Sequence, residues 1–126
     1  MSVNPQLLSF LAVALGGALG SCSRYALSAL NAHHSWMPLG TLGANVIGGL
    51  LMGGVLVYAR QLAPLTQLFM ATGFLGGLTT FSTFSAEVNL LITEAKVLQA
   101  MLWIALQVGL TLMATALSFY ALKALS

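Results

Sequence analysis

The chain has 126 residues; 59% are apolar, 5% are charged, and four Lys or Arg stand against two acids. A soluble domain carries about 25% charge. This composition therefore excludes a water-facing globular unit and gives an integral membrane protein with one membrane domain, residues 1–126. The scattered cations form no cluster of the kind that binds nucleic acid or anionic lipid.

A spanning helix needs about 20 mostly apolar residues, and four segments supply them. The first covers about residues 7–30. Met1 to Gln6 carries no Lys or Arg and so lacks the charged region of a cleaved secretory signal; the segment is expected to stay in the mature protein. It contains Cys22, the only cysteine, which rules out an intramolecular disulfide. Arg24 is the only charge well inside it. Near the end of a span, an arginine either snorkels to the interface or makes an electropositive vestibule for anions.

A polar turn, Asn31 to Ser35, follows, with His33 and His34 as solvated loop residues. The second span covers about 38–59, with Pro38 suited to a first helical turn. Asn45 lies in its middle third. An unpaired amide in hydrocarbon costs about 2–7 kcal/mol, so Asn45 either braces another helix or offers its NH₂ to an anion. Arg60, Gln61 and Pro64 mark the next turn.

The third span, about 65–92, holds the most unusual stretch, Gly73-Phe-Leu-Gly-Gly-Leu-Thr-Thr-Phe-Ser-Thr-Phe-Ser85. Glycines weaken a helix, and Thr79, Thr80, Ser82, Thr83 and Ser85 crowd hydroxyls into a membrane segment. Non-helical backbone at that depth must be buried in protein or line a water-filled cavity. The segment therefore reads as a site, with Gly76 to Thr79 as the expected break. Freed carbonyls there suit a hard cation such as Na⁺; the alternative is a kink healed by water or a hydroxyl. Phe81 and Phe84 share a helix face. Their positive ring edges attract an anion without a trapping charge, or the rings simply pack. Glu87 lies farther along, facing a vestibule or pairing with a cation.

Glu94 and Lys96 mark the third turn. The fourth span covers about 97–122 and ends near Lys123. Thr111 and Thr115, four apart, either extend a polar track or bond back to their own helix.

Turns this short make successive spans antiparallel. Small residues recur four apart at Gly16 and Gly20, Gly49 and Gly53, and Gly73 and Gly77, a spacing that lets membrane helices approach closely. Arg60 and Lys123 fall on one side of the membrane, Arg24 and Lys96 on the other. Positive charge normally sets orientation, and here it is balanced. Insertion in both orientations and an antiparallel homodimer compete with a single weakly determined orientation. A thin four-helix bundle encloses a polar pathway more readily between two copies, and twofold assemblies are the commonest.

Enzyme chemistry has no support: Asp is absent, and no metal-ligand spacing, phosphate loop or Ser/His/Asp set occurs. A small proton-coupled multidrug exporter would need an acid within a span. The first, second and fourth spans have none, and Glu87 lies toward the end of the third.

The chain resembles the small bacterial fluoride channels, the Fluc or CrcB proteins, over essentially its whole length. The likeness rests on Gly16-Gly-Ala-Leu-Gly-Ser-Cys-Ser-Arg24-Tyr25, on Pro38-Leu-Gly-Thr-Leu-Gly-Ala-Asn45 and, most specifically, on Gly73 to Phe84. It implies an all-α membrane protein of four transmembrane helices with a broken third helix, assembled as an antiparallel dual-topology homodimer in the bacterial inner membrane. Two pores would pass F⁻ passively out of the cell and confer fluoride resistance. By this resemblance Phe81 and Phe84 are the pore phenylalanines and Asn45 the pore asparagine. Ser82, Thr83 and Thr115 belong to the polar track, and the carbonyls of Gly76 and Thr79 hold a structural Na⁺ at the dimer centre. Arg24 and Glu87 correspond to the first-helix arginine and to the acid after the phenylalanine motif.

Overall fold

The computed structural model describes residues 3–31 and 36–126; His33 and His34, expected as solvated loop residues, lie outside the described residues. Helix α1 spans Pro5–Ser28. Asn4 starts it by accepting the Gln6 N–H at 2.9 Å, and Pro5 has no N–H to leave unpaired in the first turn. Helix α2 spans Leu39–Tyr58. Its Pro38 cap offers no side-chain bond, so Asn31 caps it from the end of α1, accepting the N–H groups of Gly40 at 2.7 Å and Thr41 at 3.3 Å. A 3₁₀ turn, Ala59–Gln61, closes α2. Gln67 donates from Nε2 to the carbonyls of Ala59 and Leu62, satisfying acceptors that a helix end leaves open.

Helix α3, residues 64–78, begins as an α-helix, widens to a π-helix over Leu68–Leu75, and tightens again over Gly76–Leu78. Helix α4 spans Phe81–Thr93 and α5 spans Val97–Leu125. The described residues contain no strand. Three helical stretches are long and apolar enough to cross a membrane, Pro5–Ser28, Leu39–Gln61 and Val97–Leu125. The segment expected as a broken third span is two pieces, α3 and α4, on either side of Thr79 and Thr80.

The break falls later than Gly76 to Thr79. Gly76–Leu78 stay helical, whereas Thr79 (φ −78°, ψ 153°) and Thr80 (φ −147°, ψ 120°) are extended. Two glycines of this stretch, Gly73 and Gly77, are used for packing against α1 instead. A Cβ on Gly73 would lie 2.9 Å from the Val13 carbonyl, and one on Gly77 would lie 3.0 Å from the Ser21 amide of α1. Opposite them, Gly16 and Gly20 are buried. The same device joins α2 to α5: a Cβ on Gly49 would lie 2.8 Å from the Thr111 carbonyl, and one on Gly53 2.6 Å from that of Thr115. The small-residue pairs are thus the points where backbones meet.

The main packing is of α2 along α5 and of α1 along α3, with α4 laid against α5. One apolar cluster, built on Ala44, Val55, Leu75 and Leu78, joins α2 to α3. A second, built on Phe84, Leu91, Ala100 and Trp103, holds α4 against the start of α5. The outer faces of α1 and α5 present exposed leucines, methionines and aromatics, as a lipid-facing surface requires. Helix α4 ends on Ala95, whose φ is 58°. Lys96 donates to the Leu91 carbonyl at 2.8 Å and Ala95 to that of Ile92 at 3.0 Å, the Schellman pattern that usually recruits glycine.

Candidate functional site

The site grows from the interruption between α3 and α4. In a continuous helix the Thr80 N–H would donate to the Gly76 carbonyl four residues back. Here it donates to Oδ1 of Asn45 at 2.8 Å. The Thr80 carbonyl accepts from Nδ2 of the same side chain at 3.2 Å. Asn45 therefore pairs with Thr80 backbone as a neighbouring strand would, which keeps Thr80 extended. One turn on, the Thr83 N–H, whose helical partner would be the Thr79 carbonyl, donates to Oγ1 of Thr80 at 3.1 Å. Thr80 is thus the N-cap of α4. Two side chains from this chain capture the two amides that would otherwise occupy the carbonyls of Gly76 and Thr79.

Asn45 also donates from Nδ2 to Oε1 of Gln107 on α5 at 3.0 Å. The interruption, α2 and α5 are in this way pinned by one amide. Around it lies a cavity of about 230 Å³ lined by Asn45, Thr80, Phe81, Phe84, Gln107 and Thr111, among others. Among the described residues no ionisable side chain lines it. Phe81 and Phe84 meet edge to face, with ring centroids 5.4 Å apart and planes at 74°. Phe84 is buried in the α4–α5 cluster, whereas Phe81 is 76% exposed.

On the far side of Thr80 is a second cavity, of about 240 Å³, bounded by Arg24, Asn31, Thr41, Thr80 and Thr83. Arg24 donates from Nε to the Gly77 carbonyl at 3.0 Å, so it is tied to the last turn of α3 at the cavity wall. Glu87 accepts from Oγ1 of Thr41 at 2.5 Å and from Nε1 of Trp103 at 3.0 Å. It links α4 to α2 and α5 through a hydroxyl and an indole. Among the described residues the ion pair formed is Lys96 with Glu94 at 2.6 Å, on the surface, where such pairs contribute little. A third cavity, of about 430 Å³, shares Phe81 and Phe84 with the first and runs along α4 past Ser85 and Asn89.

The expected residues divide accordingly. Asn45, Phe81 and Phe84 share the central cavity. Thr83 lines the Arg24 cavity instead, and Ser82 is exposed with its hydroxyl 3.4 Å from that of Thr80. Thr115 lines a further cavity of about 270 Å³ with Gly76 and Thr79, and its hydroxyl donates to the Thr111 carbonyl of its own helix at 3.0 Å. Two residues of the central cavity were missed. Thr80 was noted only as one hydroxyl among five. Gln107 was passed over, although its signal equals that of Asn45: a neutral amide in the middle of a long apolar helix, four residues before Thr111 and eight before Thr115.

Chemically, the central cavity offers hydroxyls, amides and ring edges with no fixed charge. That set can replace part of a small anion's water shell without holding the ion fast. The fold and site together define a multi-pass helical membrane protein with an uncharged polar centre at a helix break. The chain belongs to the CrcB family: residues 11–119 match the family described as "CrcB-like protein, Camphor Resistance (CrcB)". It is 53% identical over 120 residues to the "Fluoride-specific ion channel FluC" of Psychrobacter arcticus, covering 92% of this chain and 98% of the relative. It is 54% identical over 120 residues, with the same coverage, to the protein so named in Psychrobacter cryohalolentis. With the one so named in Enterobacter sp. it shares 42% identity over 120 residues, covering 92% of this chain and 94% of the relative.

Proposed function

We propose that this protein is a fluoride-selective channel that lets F⁻ leave a bacterial cell passively across the inner membrane and so gives fluoride resistance. The observation that carries the reading is the central cavity, where Asn45, Thr80, Gln107 and Thr111 gather beside the edge-to-face pair of Phe81 and Phe84 with no ionisable neighbour among the described residues. Fluoride is small and strongly hydrated, so a path for it must supply several donors while binding weakly enough for exit. Arg24, at the wall of the adjoining cavity, would draw anions toward that path. Ser82 and Thr83 flank it, and Thr115 continues the polar side of α5. Downhill movement needs no nucleotide site.

The working unit in this reading is an antiparallel homodimer of four-span subunits, with α3 and α4 together making the third crossing and two pores per dimer. Three features support it. Positive charge is balanced between the two sides. The Phe81 ring is largely uncovered in one subunit. Ser82, Ser85 and Asn89 are exposed on α4, a helix within the apolar part of the chain, where polar groups need cover. A second copy covers all three. The carbonyls of Gly76 and Thr79, relieved of their amide partners by Asn45 and Thr80, fit a hard cation that takes oxygen ligands. Two copies would hold one Na⁺ at the dimer centre, where it would tie the two interruptions together.

The test is purified protein in liposomes loaded with fluoride, with voltage clamped by a K⁺ ionophore and efflux followed by electrode. Rapid F⁻ release with chloride retained is expected. Fluoride held as in protein-free liposomes refutes the channel.

A further inference from the structure

Backbone groups fix the direction in which the amides at the break can point. The Thr80 N–H can only donate and the Thr80 carbonyl can only accept. Asn45, bonded to both, therefore has a single permitted orientation, with Oδ1 on the N–H and Nδ2 on the carbonyl. The second hydrogen of Nδ2 then faces Gln107 and requires an acceptor, so Oε1 of Gln107 is turned toward it. This leaves Nε2 of Gln107 as the far end of the chain. Gln107 is 3% exposed, and its Nε2 is a buried donor with no hydrogen-bond partner. Oγ1 of Thr111, one turn along the same helix, is buried and unpartnered as well. Both residues line the central cavity. Buried amide donors are seldom left unmade, because each costs about 1–3 kcal/mol.

We infer that the amide donor this protein offers to its permeating anion is that of Gln107, with Thr111 beside it, and that Asn45 sets the polarity of Gln107 rather than meeting the ion itself. The inference rests on the anion-channel reading and deepens it. Asn45 has no hydrogen left to give: both Nδ2 protons are committed within the subunit. Gln107 has two. The cavity of about 230 Å³ is many times the space one water needs, so an ion can enter it with part of its shell. Losing one hydrogen bond to a charged group in such a place lowers occupancy by about ten- to a hundredfold.

Two variants separate donor from scaffold. Gln107→Met keeps the length and removes both functions. Gln107→Glu keeps an oxygen for Asn45 but, when ionised, turns the free end into an acceptor that repels an anion; protonated, it restores an O–H donor there. Fluoride efflux from liposomes is measured for the native protein and both variants between about pH 5 and 8, the range across which a buried carboxyl titrates. The rate of protein-free liposomes is subtracted at each pH, which removes permeation of neutral HF through lipid. Chromatographic profile and reconstituted protein amount are matched.

The expected result is native flux nearly flat with pH, Gln107→Met reduced at least about tenfold at every pH, and Gln107→Glu low at pH 8 but rising toward native at pH 5. Among the described residues no ionisable group lines the cavity, so a rise that the native protein does not share belongs to the introduced carboxyl. Native flux with Gln107→Met undiminished, or Gln107→Glu parallel to native across the range, overturns the inference alone. No fluoride flux from the native protein overturns the channel reading and this inference with it.

Discussion

Replacing Asn45 with Leu tests whether the helix break is held by a side chain or by the backbone itself. The substitution keeps the volume and removes three hydrogen bonds, at 2.8 Å, 3.2 Å and 3.0 Å. Hydrogen bonds between membrane helices average about 0.6 kcal/mol each, which sets a floor of about 2 kcal/mol for three. Two of the orphaned partners are backbone groups of Thr80, a residue only 9% exposed. Stranding a buried polar group costs about 1–3 kcal/mol, which puts the ceiling near 6 kcal/mol. Water entering the adjoining cavity relieves part of this, so a loss of about 3 kcal/mol is expected. Thr80→Ala, which removes only the cap of α4, should cost about 1 kcal/mol. Reversible unfolding in mixed detergent micelles at fixed protein-to-detergent ratio reads both. Because the two residues act on one interruption, the double variant should lose less than the sum. A loss below about 1 kcal/mol for Asn45→Leu, or one smaller than that of Thr80→Ala, would show that the interruption persists without the asparagine.

Phe81→Ile should cut fluoride efflux at least tenfold while leaving the chromatographic profile unchanged, since it removes a ring edge but not burial within the subunit; undiminished efflux takes Phe81 out of the pathway. Ala95→Gly should raise stability by about 1 kcal/mol, because Ala95 occupies the left-handed region at φ 58°, where a Cβ costs about 1–2 kcal/mol; a lowered melting temperature would count against that geometry. Gly53→Val should destabilise by about 1–3 kcal/mol, since even its Cβ would press 2.6 Å from the Thr115 carbonyl and 2.8 Å from the Phe119 amide. Gly54→Ala is the control: there the added Cβ comes no nearer than 3.4 Å to Leu122, and thermal stability should be kept. Equal losses at the two glycines would mean that α2 and α5 do not meet along this face.

Much of this was legible because each signal had a single physical source. Runs of about 20 apolar residues gave the long helices, and Gly49 and Gly53 marked a face where another helix comes close, though not that the helix would be α5. The break itself was legible from its crowd of hydroxyls, but its position was not. Glycines at Gly76 and Gly77 looked like the weak point by propensity. The structure spends Gly77 on α1, both stay helical, and propensity yields to tertiary contact. What breaks the helix is Asn45, 35 residues away in sequence, and one chain gives no sign of that pairing. Gln107 was readable by the argument applied to Asn45 and was missed because no motif surrounds it. The widening of α3 over Leu68–Leu75 was not legible: Gly73 and Thr72 weaken an α-helix there, but nothing in the residues specifies a wider turn.

The same few bonds join the two ends of the functional reading. Asn45 takes the Thr80 amide, which releases the Gly76 carbonyl, and Thr80 takes the Thr83 amide, which releases that of Thr79. Those carbonyls are the ones the proposed cation would use. On the other side, the same Asn45 turns Gln107 so that a donor faces the cavity where an anion would pass. In the proposed reading, anion lining and cation ligands would therefore both depend on one captured amide. It follows that a substitution at Asn45 cannot damage one function alone. It should loosen the cation's carbonyls and scramble the polarity of Gln107 together, whereas Gln107→Met should spare the carbonyls and strike only the anion path. Sodium-dependent stability measured on the two variants distinguishes them: it should be lost with Asn45→Leu and kept with Gln107→Met.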